Sequence, residues 1–298
     1  MQVSVVDRPP ERRRLKRPRL LIVGCGDVGG RILACLRGRF RVVALTTRAA
    51  RVPALRAAGA VPIVGDLDQR QTLRRLRAAA THVIHLAPPP NHGVRDPRTR
   101  NLRLAVGTTC QRFVYVSTTG VYGDAGGAWL DETAPPRPTT DRARRRLDAE
   151  RIVRAAPLKA CVLRVPGIYA ADRLPLQRLR GGTPALTEDD DVYSNHIHAE
   201  DLARIAIAAL FRGRPGRVYN AVDDSALKMG DYFDRVADAF GLPRPPRLPR
   251  AQVRAAVSPA MYSFMSESRR LRNARIKREL RVRLRYPTID AALATLIR

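Results

Sequence analysis

The chain has 298 residues, 45% of them hydrophobic, with 55 Lys and Arg against 27 Asp and Glu for a net charge of +28. That length and apolar content suit a folded chain with a substantial core, and arginines interrupt every apolar run before it reaches the ~18–20 residues of a membrane-spanning helix. Only four of the basic residues are lysines (Lys16, Lys159, Lys228 and Lys277), a skew that resembles codon bias, yet the excess of basic over acidic groups still creates a field attractive to phosphates or nucleic acid.

Residues 1–18 carry Arg12, Arg13, Arg14 and Lys16 with no apolar run behind them. They are expected to be a disordered basic tail, not a secretory signal. Cys25, Cys35, Cys110 and Cys161 form no CxxC pair, so a reducing cytoplasm is the expected compartment. A short apolar strand, Arg19 to Val23, leads into Gly24-Cys25-Gly26-Asp27-Val28-Gly29, and the helix that follows is apolar at Val28, Ile32, Leu33 and Leu36. Each glycine has a task in a dinucleotide-binding turn: Gly24 for the tight bend, Gly26 for backbone approach to a pyrophosphate, Gly29 for close packing of helix on strand. The helix N-terminus then faces the phosphates. A plain strand-to-helix turn is the competing reading.

Further apolar strands are predicted at Val42–Leu45, Val61–Val64, Val83–Leu86, Phe113–Val116 and Cys161–Leu163, alternating with helical or polar stretches. This rhythm predicts an α/β fold, a doubly wound parallel sheet of the Rossmann type. Residues 19–165 form the dinucleotide-binding domain in this reading, completed by 199–224. The looser 166–198 and 225–298 form a smaller substrate region. Within the completing part lie a helix near Glu200–Phe211 and a strand near Val218–Val222. Four prolines between Gly241 and Pro249 read as a linker, and Ser266 to Lys277 as a basic segment of helical spacing.

At the end of the second strand, where an acid would hold a ribose 2′-hydroxyl, the sequence reads Leu45-Thr46-Thr47-Arg48. Arg48 suits a 2′-phosphate, so NADP is expected over NAD; the alternative is one more surface arginine. Asp66 is placed either to contact an adenine edge or to cap a helix. His196 and His198 alternate on a strand as a pair of metal ligands would, but no third ligand is evident and a structural role is expected.

The glycine turn, Gly65-Asp66-Leu67, His85-Leu86-Ala87, Val116-Ser117-Thr118-Thr119-Gly120-Val121-Tyr122-Gly123 and Leu147-Asp148-Ala149-Glu150 together resemble the extended short-chain dehydrogenase/reductases, the NAD-dependent epimerase/dehydratase family. Leu163-Arg164-Val165-Pro166-Gly167-Ile168-Tyr169 and His198-Ala199-Glu200-Asp201-Leu202-Ala203 look like that family's later landmarks. The resemblance implies cofactor contacts at Gly24, Gly26, Asp27, Val28, Gly29, Arg48, Asp66, Leu86 and Ala87. It also implies a catalytic Thr118, with a tyrosine and a lysine four residues later on the following helix. Those two positions hold Arg142 and Arg146. Arginine stays charged and cannot exchange a proton near neutral pH, which leaves Arg146 for ribose contacts, Arg142 for an anionic substrate, and Tyr122 or Tyr169 as replacement phenols. Arg142, Arg146, Glu150 and Arg154 also share i, i+4 spacing, the pattern of a solvated ion-pair stripe.

Where the family's arginine grips a sugar-nucleotide phosphate this sequence has Ser194, which argues against a nucleotide sugar. The expected function is an NADP-dependent oxidoreductase or epimerase acting on an unknown small metabolite, with an anionic substrate as one option. An inactive NADP-sensing or RNA-binding protein on the same fold is the alternative; the charge favours it, and an aromatic content of 5% does not.

Overall fold

In the computed structural model, which describes residues 18–77, 79–156 and 158–296, seven parallel strands form one sheet. They are β1 (Arg19–Val23), β2 (Arg41–Thr46), β3 (Val61–Val64), β4 (His82–His85), β5 (Arg112–Thr118), β6 (Lys159–Val165) and β7 (Val218–Asn220). Their spatial order is β7-β6-β5-β4-β1-β2-β3, all neighbours parallel. The expected basic tail at residues 1–18 lies outside the described residues apart from Pro18.

The strands are apolar on both faces because both faces are covered by helices. In β1, Leu20 and Ile22 point into the core beneath α1 (Asp27–Leu36) and the long Ala199–Arg212 helix, joining Ile32, Leu33, Leu36, Leu202, Ile205 and Ala209. Leu21 and Val23 point the other way, toward Leu73, Leu76, Leu102, Val106, Ala149 and Val153. This alternation is the period of two that a pleated strand imposes. Helix Pro97–Val106 begins at an Asp96 cap whose side chain accepts from the Thr99 N–H, and Asp141–Arg154 at a Thr140 cap accepting from Ala143.

Beyond the sheet, Tyr169, Leu179, Phe233, Val236, Ile289 and Leu293 build a separate small core. Ile276, Leu280 and Val282, by contrast, pack into the main core. Two local expectations are corrected. Ser266–Lys277 is not helical throughout: Arg270–Leu271 pairs with Trp129–Leu130 as a strand, and a helix starts only at Ala274. The cause is side-chain chemistry, since the Arg270 guanidinium stacks 5.2 Å from the Trp129 ring and 4.5 Å from that of Tyr193, while Asn195 accepts from the Leu271 N–H. The proline-rich 241–249 stretch is not a free linker either. Arg247–Leu248 pairs with Ala185–Leu186, and Arg247 is bound by Asp191 and Asp234.

Candidate functional site

The chain leaves β1 toward β2 on one side and reaches β4 on the other, so the crevice beyond their carboxyl ends is the topological switch point where such sheets take ligands. A cleft of about 860 Å³ opens there. Gly24, Gly26, Asp27, Val28, Gly29, Arg48, Asp66, Leu86 and Ala87 all line it, as do Thr118, Arg142 and Arg146.

The three glycines are separable by what a side chain would meet. Gly24 has φ +86°, and a Cβ there would lie 2.6 Å from the backbone nitrogen of Ala87. At Gly29 it would press on the Gly24 carbonyl at 3.0 Å, whereas at Gly26 it would meet nothing within 4 Å. Gly26 therefore presents bare backbone to the cleft. It also begins α1 with no side-chain cap, leaving first-turn N–H groups available to an anion. The cradle fits a dinucleotide pyrophosphate.

Asp27, a carboxylate at that N-terminus, is neutralised twice. Its oxygens accept from Arg31 Nε at 2.8 Å and from Arg173 Nη1 at 2.9 Å. Arg31 also reaches Asp172 at 2.9 Å. Arg48 stands at the end of β2 with Arg51 beside it on the cleft wall, a second cation the sequence reading passed over although it lies only one turn further on. Asp66 lines the cleft while its Oδ1 accepts from the Asp68 N–H, so it shapes its own turn; the cap of the following 3₁₀ segment is Gln69. Arg98 holds Asp68 through two bonds of 2.8 and 2.6 Å and donates to the Pro88 and Pro89 carbonyls. That ion pair keeps the Asp68 carboxyl below the usual range and ties the proline loop to the wall.

A second cleft, of about 1010 Å³, meets the first at Thr118, Arg142, Pro166, Ile168 and Arg173. Thr118 Oγ1 accepts from the Gly120 N–H at 3.2 Å, which leaves its own O–H to donate. Arg146 Nη1 donates to the Val116 carbonyl at 2.9 Å and the Tyr115 hydroxyl at 3.2 Å. The Tyr115 phenol is buried and pushed up to about 12. Glu150, expected on a solvated stripe with Arg142 and Arg146, is instead buried. It forms an ion pair with Arg164 at 2.8 Å and accepts from Ser117 at 2.6 Å.

Tyr122 is not brought to either cleft. Its hydroxyl donates to Asn220 Oδ1 at 2.8 Å, its ring carries the Arg164 guanidinium at 4.6 Å, and burial raises its pKa. Its phenol is committed to joining the turn after β5 to β7. Tyr169 is likewise buried, facing Asp223, whose carboxyl is pushed up to about 7 by burial. His196 stacks on Tyr232 at 4.1 Å, and His198 Nδ1 accepts from the Glu200 N–H. Among the described residues no group of three or more His, Cys, Asp or Glu side chains could hold a metal, and no helix is long and apolar enough to cross a membrane.

Residues 24–212 match the profile of NAD(P)H-binding proteins. The chain belongs to the NAD(P)H-binding family. A solved structure of a conserved, functionally unknown protein from Silicibacter pomeroyi DSS is 34% identical, with a TM-score of 0.81 over 94% of this chain and 98% of that one. A short-chain dehydrogenase/reductase superfamily protein from Agrobacterium tumefaciens, solved with bound NAD, is 19% identical, with a TM-score of 0.72 over 94% and 96% of the two chains. Among curated proteins, YeeZ of Escherichia coli K12 is 27% identical over 135 residues, 45% of this chain and 48% of that protein. The match thus spans about half the length of the curated relative. An NAD(P)-binding Rossmann fold similar to that of short-chain dehydrogenase/reductases is therefore established for this NAD(P)H-binding protein.

Proposed function

We propose that the protein is an NADP-dependent reductase or epimerase-type enzyme acting on a small molecule. The observation that carries this reading is the pair of contiguous clefts: one at the switch point with the open Gly26 cradle, the other meeting it at Thr118 and Arg142. The preference for NADP rests on Arg48 and Arg51 at the ribose end of the first cleft, with no carboxylate at the end of β2. A guanidinium forks onto a phosphate with charge-assisted hydrogen bonds that a ribose hydroxyl cannot reciprocate.

Arg142 and Arg146 take the places of the tyrosine and lysine of the short-chain dehydrogenase/reductases. The nicotinamide, when bound, supplies or accepts a hydride. Thr118 orients a substrate oxygen through its free O–H, and Arg146, anchored on the Val116 carbonyl, directs its remaining N–H groups to the cofactor ribose. Arg142, on the wall of the second cleft, pairs with negative charge on the substrate and exchanges no proton. The proton comes from water in the open cleft. Four unpaired cysteines suit a reducing compartment, the cytoplasm in this reading.

The test is a titration of purified protein with NADPH and NADH. NADPH is expected to bind at least about tenfold more tightly, Arg48→Glu to erase that preference, and Gly26→Arg to abolish binding of both. Failure of either dinucleotide to bind the wild type refutes the reading. Equal affinities unaffected by Arg48→Glu refute the NADP preference.

A further inference from the structure

Four arginines line the second cleft (Arg142, Arg173, Arg178 and Arg269) against a single carboxylate, Glu267. Arg173 is neutralised by Asp27 and Arg269 by Glu267 at 2.8 Å. Arg142 and Arg178 form no ion pair with any described carboxylate. Arg142 rests with its guanidinium 5.0 Å over the Phe264 ring. Arg178 lies 4.3 Å over the Phe233 ring, and its Nη1 points at the Met261 sulfur, 3.0 Å away. Its Nε is buried without a hydrogen-bond partner.

Met261 and Phe264 are three residues apart on the short helix Pro259–Phe264, hence on one face of it. Two cations without a counter-ion thus reach the same apolar helix face; Arg178 Nη2 is anchored on the Pro184 carbonyl at 2.7 Å, which leaves its Nε and the sulfur-facing Nη1 for an anion. A second observation points the same way. His196 lines this cleft at 8% exposure with Nδ1 unpartnered, and the buried Ser194 hydroxyl beside it is unpartnered too. Burial lowers the pKa of both arginines, with Arg146 and Arg145 adding to the effect at Arg142. Desolvated cations without counter-ions are costly, and an incoming anion relieves that cost.

Resting on the reading of this cleft as the substrate site, we propose that it takes an amphipathic anion, a phosphate or carboxylate held by Arg142 and Arg178 with an apolar body against Phe233 and Met229. The charged group binds where those two arginines meet the Pro259–Phe264 helix, which forms one wall of the cleft. The substrate is then neither a neutral polyol nor a purely polar anion.

Two fluorescent probes of matched shape test this: anilinonaphthalene sulfonate, which carries the anion, and N-phenylnaphthylamine, which does not. The wild type is expected to bind one sulfonate probe per chain at least about tenfold more tightly than the neutral one. Octyl phosphate or octanoate should displace it and octanol should not; the better competitor identifies the anionic group. Arg142→Met and Arg178→Met should each weaken the sulfonate about tenfold or more and leave the neutral probe unchanged. Arg178→Lys should retain part of the affinity, and Arg244→Met, on the exposed surface, all of it. Equal binding of the two wild-type probes overturns the proposal without relying on any variant's fold, and sulfonate binding indifferent to both methionine substitutions overturns it as well. NADPH binding is measured in parallel. If the probe pattern holds but NADPH does not bind, the cofactor reading falls and the anion clamp stands; the reverse result removes the clamp alone.

Discussion

Replacing Gly24 and Gly26 in turn by alanine separates folding from binding at one turn. At Gly24 the added methyl lies 2.6 Å from Ala87 N and 2.8 Å from its Cα, in a backbone held at φ +86°. An L-residue in that conformation costs ~1–2 kcal/mol, and the collision is with backbone, which yields only by moving β1 away from the loop after β4. A total near ~2–4 kcal/mol follows, the range in which strain and overpacking add. At Gly26 φ is −79° and nothing lies within 4 Å, so alanine should change stability by under ~0.5 kcal/mol. Its methyl nonetheless occupies the space a pyrophosphate needs. The assay pairs thermal unfolding with NADPH titration. Gly24→Ala should lower Tm by several degrees, at ~2–4 °C per kcal/mol for chains of this order. Gly26→Ala should leave Tm in place and weaken NADPH about tenfold or more. Wild-type NADPH affinity in Gly26→Ala, or an unchanged Tm in Gly24→Ala, refutes the assignment of tasks to the two glycines.

Three further outcomes are expected. Glu150→Gln strands the Arg164 guanidinium in the core, where the pair is 1% and 3% exposed; a loss of ~3–5 kcal/mol in urea unfolding is expected, and much less in the double variant Glu150→Leu, Arg164→Met. Asp223 has its folded-state pKa raised to about 7 from an ordinary 3.8, so the native state holds a proton that the unfolded chain releases. Its contribution is fully present below about pH 4 and is lost as pH rises to about 7. Wild-type stability minus that of Asp223→Asn should therefore fall over that window, the variant gaining on the wild type, and a wild type that gains on the variant as pH rises contradicts the burial argument. Arg173→Met removes one of the two cations on Asp27 and exposes an approaching phosphate to more negative charge. NADPH affinity should fall several-fold while stability stays within ~1 kcal/mol, as for other half-exposed pairs.

The sheet is legible in the sequence because burial on two faces writes unbroken apolar strands at regular intervals, and the glycine turn because three positions there constrain the residue type. The strand ends are less so: β5 continues through Thr118 and β7 stops at Asn220. What escaped the sequence was made by side chains distant along the chain. Arg173 meets Asp27 across 146 positions, and Arg270 forms a strand because two aromatic rings hold its guanidinium. Tyr122 has the spacing of a catalytic neighbour, but its partner Asn220 lies 98 residues away, and no local pattern announces it. Glu150 shows the limit of periodicity most plainly. An i, i+4 charge stripe says which residues share a helix face, and Arg164 beneath that face decides that one of them is buried.

The network of Ser117, Glu150, Arg164, Tyr122 and Asn220 fastens the ends of three adjacent strands to one another immediately beneath Thr118. The junction of the two clefts is thereby referenced to the rigid sheet, while the far wall of the second cleft is made of short helices and two-residue strands with a separate core. Substitutions in residues 225–265 can reshape what the pocket admits without displacing the threonine hydroxyl from the cofactor side. A chain built this way can change its choice of molecule by local sequence drift and keep the geometry at which that molecule meets the cofactor.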